Sequence, residues 1–253
     1  MRALFSAIAF LTVVPIPERW KSRRENGMFA GYPVAGILIG VVLAAAAEAA
    51  HALFPPAVAA VVLTAAVLAL TGALHLDGLA DCADAFYGRR DRESVLRILK
   101  DPRVGSMGAA AIGLDLLLRG TSFFSIPTAL LVLAFPVAGL LSRSIVLLAL
   151  RLLPYVRMQD GILRAGRPAG AGLTVLGAAA ALGAVAVVPV PSLAALAAVA
   201  VFWRASWKKI GGCTGDVLGA SIEIAEVVFL AALAATANAG LRLGLLYSVS
   251  VLR

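Results

Sequence analysis

The sequence predicts an all-α integral membrane protein, a polytopic helical bundle of about six to eight membrane helices with a short amphipathic or re-entrant helix at its N-terminus. Three observations lead there. Hydrophobic residues make up 61 % of the 253 residues and the mean hydropathy is +0.96, well above the roughly 45–50 % apolar content of a soluble domain. Apolar runs near the roughly 20 residues of a spanning helix recur along the whole chain. The cations behind the net charge of +8 are gathered between those runs; if the runs alternate across a membrane, every large cluster falls on one side, which is the pattern of basic cytoplasmic loops. No stretch is left over for a soluble domain, so residues 1–253 read as a single membrane-embedded unit.

Residues 3 to 14 are apolar but too short to span, and Pro15 and Pro17 end the run, so this stretch is expected to lie in or against the interface. Arg19, Lys21, Arg23 and Arg24 form the first basic cluster, with Trp20 suited to headgroup level. The first span runs from Phe29 to about Leu53, and its Gly36 and Gly40 have the G-x-x-x-G spacing that permits close helix approach. Pro55 and Pro56 mark an outer turn, and Ala57 to Leu74 returns. Arg89, Arg90, Arg92, Arg97, Lys100 and Arg103 then make the most basic loop, within which Val95, Leu96, Ile98 and Leu99 predict a short amphipathic surface helix.

Val104 to about Leu118 is expected to exit, with RGTSFFSIP as the outer turn and Asp115 paired to Arg119 at i+4. Thr128 to Leu150 comes back carrying Arg143, a cation that is costly at membrane depth unless it meets an acid or a cavity. The next loop holds Arg151, Arg157, Arg164 and Arg167 among glycines and prolines. Leu173 to Val188 exits, VPVPS forms an uncharged turn, and Leu193 to about Phe202 returns to Arg204, Lys208 and Lys209. A last long run begins at Val217, and residues 239 to 253 allow a final short helix.

Composition also excludes classes. Two cysteines, Cys82 and Cys213, lack C-x-x-C spacing or companion histidines, so neither a disulfide framework nor a structural zinc is expected. The basic clusters encode topology, and no nucleic-acid partner is expected.

Chemistry concentrates in two stretches. HLDGLADCADAFYG, His75 to Gly88, places Asp77, Asp81 and Asp84 just after an apolar run. On a helix at about 100° per residue, the second and third acids lie about 40° and about −20° from the first, so all three share one face. Carboxylates on one face suit hard divalent cations and would otherwise repel. KKIGGCTGDVLGASIEIAE sets Lys208 and Lys209, then Gly211, Gly212 and Gly215, ahead of Asp216, Glu223 and Glu226. Glycines before a helix bring backbone N–H groups near an anion. Two acid-bearing helix ends beside basic loops describe a phosphate site with a divalent metal, suited to phosphoryl transfer or pyrophosphate displacement.

FLTVVPIP, YPVAGILIG, TGALHLDGLADCADAFYG, LKDPRVGSMG, the Ser142-Arg143-Ser144 triplet and GGCTGDVLGASIEIAE together resemble the cobalamin synthases, also called adenosylcobinamide-GDP ribazoletransferases, over nearly the whole chain. The resemblance implies a Mg²⁺-dependent phosphotransferase of cobalamin biosynthesis that joins adenosylcobinamide-GDP to α-ribazole or its 5′-phosphate and releases GMP. It implies a multi-pass enzyme of a bacterial or archaeal cytoplasmic membrane with its active site facing the cytoplasm, and leaves room for a homo-oligomer. Carried onto these residues, Asp77, Asp81, Asp84 and Asp216 are the expected metal ligands; Asp84, Asp216 and Glu223 are candidate catalytic acids, with the identity of the base open. His75, Lys100, Arg103, Arg143, Lys208 and Lys209 are candidates for substrate and phosphate binding.

Two rivals are weighed. A CDP-alcohol phosphotransferase also spaces aspartates, but its D-x-x-D-G-x-x-A-R opening is absent. An ion- or proton-coupled transporter would use the intramembrane Asp115, Arg143, Glu223 and Glu226, yet the halves show no convincing internal repeat.

Overall fold

The computed structural model describes residues 1–22, 27–156 and 170–238. Expectations on Arg23, Arg24, Arg157, Arg164 and Arg167, and on a helix within 239–253, lie outside the described residues. Ten α-helices are described: α1 (Arg2–Leu11), α2 (Tyr32–Leu53), α3 (Pro56–Thr71), α4 (Leu74–Phe86), α5 (Arg92–Ile98), α6 (Ser106–Ser125), α7 (Thr128–Leu152), α8 (Ala171–Val187), α9 (Pro189–Ile210) and α10 (Gly215–Asn238). There is no strand among the described residues, only one isolated bridge between Tyr155 and Cys213. Five helices are long and apolar enough to cross a membrane, and six spans result if α3 and α4 are one bent pair. That is the lower end of the expected range; α8 is apolar but has only 17 residues. The protein is therefore a polytopic all-α membrane protein, as its patterning predicts.

Helix α7 is central, packed on α2, α8 and α10. The α2–α7 contact depends on glycine. A Cβ on Gly36 would collide with the Gly139 carbonyl, and one on Gly40 with the Phe135 carbonyl, so the G-x-x-x-G spacing does bring two backbones together. Helix α1 is tucked against the start of α2, where Gly31 leaves no room for a side chain beside the Ala3 backbone. Its exit is tied down by the Val13 amide donating to the Leu70 carbonyl at 2.9 Å.

Three boundaries differ from the sequence reading. Residues Gly72 (φ 62°) and Ala73 (φ 55°) are both left-handed, and the chain turns by 91° between α3 and α4. The acids therefore ride on a separate helix crossing the bundle, not on the end of a straight span. RGTSFFSIP turns only at its last two residues, Ile126 and Pro127: α6 runs on to Ser125, and Arg119, 1 % exposed, is satisfied inside the bundle. VPVPS is the first turn of α9, where Pro189 at the first position needs no N–H partner.

Candidate active site

The glycine turn before α10 is stitched from three segments. Helix α9 ends at Ile210, with Gly211 left-handed at φ 77°. The freed Ile210 carbonyl accepts from Arg92 Nε at 2.9 Å, and Lys209 Nζ donates to the Gly88 carbonyl at 2.5 Å. Gly212 packs against the Pro154 carbonyl so closely that a Cβ would collide with it. The Cys213 amide donates to Pro154 O at 2.8 Å, and the Val156 amide donates to Cys213 O at 3.0 Å. Thr214 then caps α10, its carbonyl accepting from the Leu218 amide at 3.1 Å. Asp216 falls in the first turn of α10, where a negative charge is favoured by the helix N-terminus.

That turn sets Asp216 directly against α4. A Cβ on Gly78 would lie 2.8 Å from the Asp216 carbonyl oxygen and 3.4 Å from the Ala220 nitrogen, so only glycine admits this approach. Asp77 and Asp216 line one pocket together with His75. Asp81 is half-buried one turn on from Asp77. Asp84 is engaged elsewhere: its carboxylate accepts from the Gly105 amide at 2.7 Å and the Gly108 amide at 2.9 Å, closing the start of α6. Among the described residues, no three His, Cys, Asp or Glu side chains converge as they stand to hold a metal ion.

The predicted cations are spread out. Lys208 is exposed on the last turn of α9, and Lys100 is exposed on the loop after α5. Arg103 is exposed and forks onto Asp101, at 2.9 Å and 2.7 Å; this pairing holds the Asp101 carboxyl down to about 2. Lys209 serves the loop at Gly88, as described. The Asp91 carboxyl, which accepts from the Ser94 amide at the start of α5, is likewise held below its ordinary range. Burial pushes the Cys213 thiol up to about 12, and Cys82 is buried and unbridged, so neither thiol is a nucleophile at neutral pH.

Beneath the pocket lies a buried ionic network that sequence reasoning saw only in parts. Arg119 contacts Asp115 at 3.3 Å, Glu226 at 3.5 Å and, more closely, Glu223. Arg143 is paired with Glu226 and donates to Ser142 Oγ at 2.8 Å. The i+4 pairing of Asp115 with Arg119 and the need of Arg143 for an acid are therefore both met. Arg119 is the hub that the sequence concealed, since its partners on α10 are remote in sequence; only its position one turn after Asp115 hinted at burial. Each acid a transporter path would use is tied to a guanidinium of this network.

With this geometry in hand, comparison with known proteins is decisive. A family model described as Cobalamin-5-phosphate synthase matches residues 3–234. The chain belongs to this family. The adenosylcobinamide-GDP ribazoletransferase of Chlorobium phaeobacteroides (strain BS1) is 41 % identical over 245 residues, covering 90 % of this chain and 95 % of that protein. Those of Sinorhizobium medicae (strain WSM419) and Brevibacillus brevis (strain 47) are 36 % and 35 % identical, covering 90 % and 91 % of this chain and 94 % and 96 % of those proteins. No solved structure matches. The chain is thus a membrane-embedded transferase of cobalamin biosynthesis, and both acid-bearing stretches lie within the part matched by the cobalamin-5-phosphate synthase family.

Proposed function

We propose that the chain transfers the corrinoid-linked phosphate of adenosylcobinamide-GDP onto a ribose hydroxyl of α-ribazole or its 5′-phosphate, with Mg²⁺, releasing GMP. In this reaction the hydroxyl oxygen bonds to the phosphorus bearing the corrinoid, the anhydride P–O bond to GMP breaks, and the hydroxyl proton passes to a carboxylate. The observation that carries the reading is the approach of Asp216 to Gly78, which makes one site of two acid stretches far apart in the chain.

The donor set fits Mg²⁺, which takes one or two protein carboxylates and completes its shell with water and substrate phosphates. Asp77 and Asp216, with Asp81 beside them, would hold it, and the metal would supply neutralisation of phosphate oxygens. The chain's own residues do the rest. The α10 N-terminus, whose Gly215 lines the pocket, points backbone N–H groups toward an anion. Lys208 and Lys100, both exposed, add positive charge to the loops on the same side of the bundle. Glu223 is held by Arg119, about two helical turns below Asp216, so it positions α10 and the proton acceptor is one of the acids at the pocket mouth. The basic loops, and with them the site, face the cytoplasm across a bacterial or archaeal inner membrane.

The test is turnover by the purified protein in lipid. Adenosylcobinamide-GDP and α-ribazole with Mg²⁺ should give GMP and a corrinoid bearing the lower ligand in equal amounts. Omitting the acceptor or the metal should abolish both. GMP release that ignores the acceptor would overturn the reading.

A further inference from the structure

The pocket that holds Asp77 and Asp216 changes character with depth. Its outer lining, Leu74, Asp77, Gly215 and Asp216, is exposed or half-exposed, whereas Phe29, Tyr32, His75, Val146 and Ile222 are buried at its inner end. Phe29 and Tyr32 pack as a tilted pair with centroids 5.1 Å apart. Phe10 and Leu11 come from α1 and close one side. No lysine or arginine lines it among the described residues, so an anionic nucleotide gains nothing from its depth.

The cavity measures about 140 Å³, and an apolar cavity of roughly 150 Å³ accepts a benzene ring. His75 lines its inner end, with its ring nitrogen packed just behind the wall. His75 is 3 % exposed, and its Nε2 has no hydrogen-bond partner among the described residues. A buried ring nitrogen without a partner is costly, which favours a turn of the ring toward any ligand that supplies one. Gly219 keeps the space beside it open: a Cβ there would sit 3.5 Å from His75 Cα and 3.9 Å from His75 Cδ2.

We propose that the inner end of this pocket holds the flat, uncharged aromatic base of the acceptor nucleoside, with Phe10, Tyr32 and His75 selecting that base and the acids at the mouth meeting its ribose. This rests on the reading of the reaction given above. Aromatic side chains and a planar ring attract through their faces and edges, and a small turn of the His75 ring toward the cavity gives its unpartnered nitrogen a hydrogen bond to the ring's edge. Helix α1 thereby acquires a function as the wall that sets how wide a base can enter. The acceptor's base sits deep and its hydroxyl sits shallow, which is the order needed for attack on a phosphate held outside.

Equilibrium binding of a benzimidazole ribonucleoside to the full chain in lipid nanodiscs tests this, without corrinoid nucleotide or divalent cation. Wild type should bind it at least tenfold more tightly than a pyrimidine ribonucleoside. Gly219→Leu, which fills the inner end, should weaken binding tenfold or more, whereas Gly219→Ala should change it less than threefold. Ile222→Ala should narrow the preference for benzimidazole over a bulkier purine ribonucleoside, and His75→Leu should weaken binding with little change in thermal stability. In turnover, these variants should raise the acceptor KM and leave the donor KM alone. Affinity that is equal for all three nucleosides, or untouched by both Gly219→Leu and Ile222→Ala, overturns the proposal, as does occupation of the cavity by a lipid or detergent chain that nucleoside cannot displace. Selective nucleoside binding without GMP release would uphold the base site and refute the reaction; turnover with unselective binding would do the reverse.

Discussion

Gly78 on α4 and Asp216 on α10 touch through backbone, with the Asp216 carbonyl oxygen 2.8 Å from where a Gly78 Cβ would stand. A side chain there must push the two acid-bearing helices apart. Gly78→Ala is therefore predicted to cost about 1–3 kcal/mol of stability through overpacking and to lower turnover by a larger factor than its shift in melting temperature implies. Turnover measured beside thermal unfolding in the same lipid checks this; a variant with normal turnover would mean that the approach does not matter to the site.

Arg119 is predicted to be structurally indispensable. Arg119→Met leaves Glu223 and Asp115 buried without their cation, a change worth about 3–5 kcal/mol. Arg119→Lys should restore little, since one ammonium cannot reach acids on α6 and α10 together. For Arg143, whose acid is Glu226, the double variant Arg143→Met with Glu226→Met should be more stable than either single one. Yield of folded, membrane-inserted protein and its melting temperature give the readout.

Asp84 is predicted to act through α6. Asp84→Ala removes the acceptor for the Gly105 and Gly108 amides and should cost about 0.5–2 kcal/mol, as lost caps do. Asp84→Asn should keep more transfer activity than Asp77→Asn does. Equal and near-total loss in both would return Asp84 to the metal-binding set.

The helix content and the motif stretches were legible because they rest on local signals: apolar run length, glycine spacing, and acids repeating at helical period. Gly36 and Gly40 announced a close approach that α7 fulfils. What was hidden depends on partners remote in sequence. Arg119 looked like a turn residue because nothing nearby neutralises it except Asp115; its other acids come from α10. The 91° bend sits on Gly72 and Ala73: the glycine is a readable helix stop, but alanine rarely adopts φ 55°, so nothing announces that the second residue turns as well. Asp84 shares a helical face with Asp77, but the amides of α6 reach it first, which only packing reveals.

Orientation is predicted from charge. A cysteine placed at Arg97 should be shielded from an impermeant thiol reagent in intact cells, while one at Pro56 should be labelled. Native Cys82 and Cys213, both buried, should stay unlabelled in the folded protein at pH 8. Labelling at position 97 in sealed cells would invert the topology.

The central claim, that Asp77 and Asp216 serve one metal-phosphate site, is tested most directly by the kinetics of Asp77→Asn, Asp216→Asn and the double variant, each confirmed as inserted and folded. Asn keeps the size and removes the charge that a hard cation prefers. The account predicts that each single variant loses GMP-forming transfer by about three orders of magnitude or more, and that the double variant is little worse, because residues acting as a unit are non-additive. Losses that multiply in the double variant, or wild-type GMP release by either single one, would contradict it.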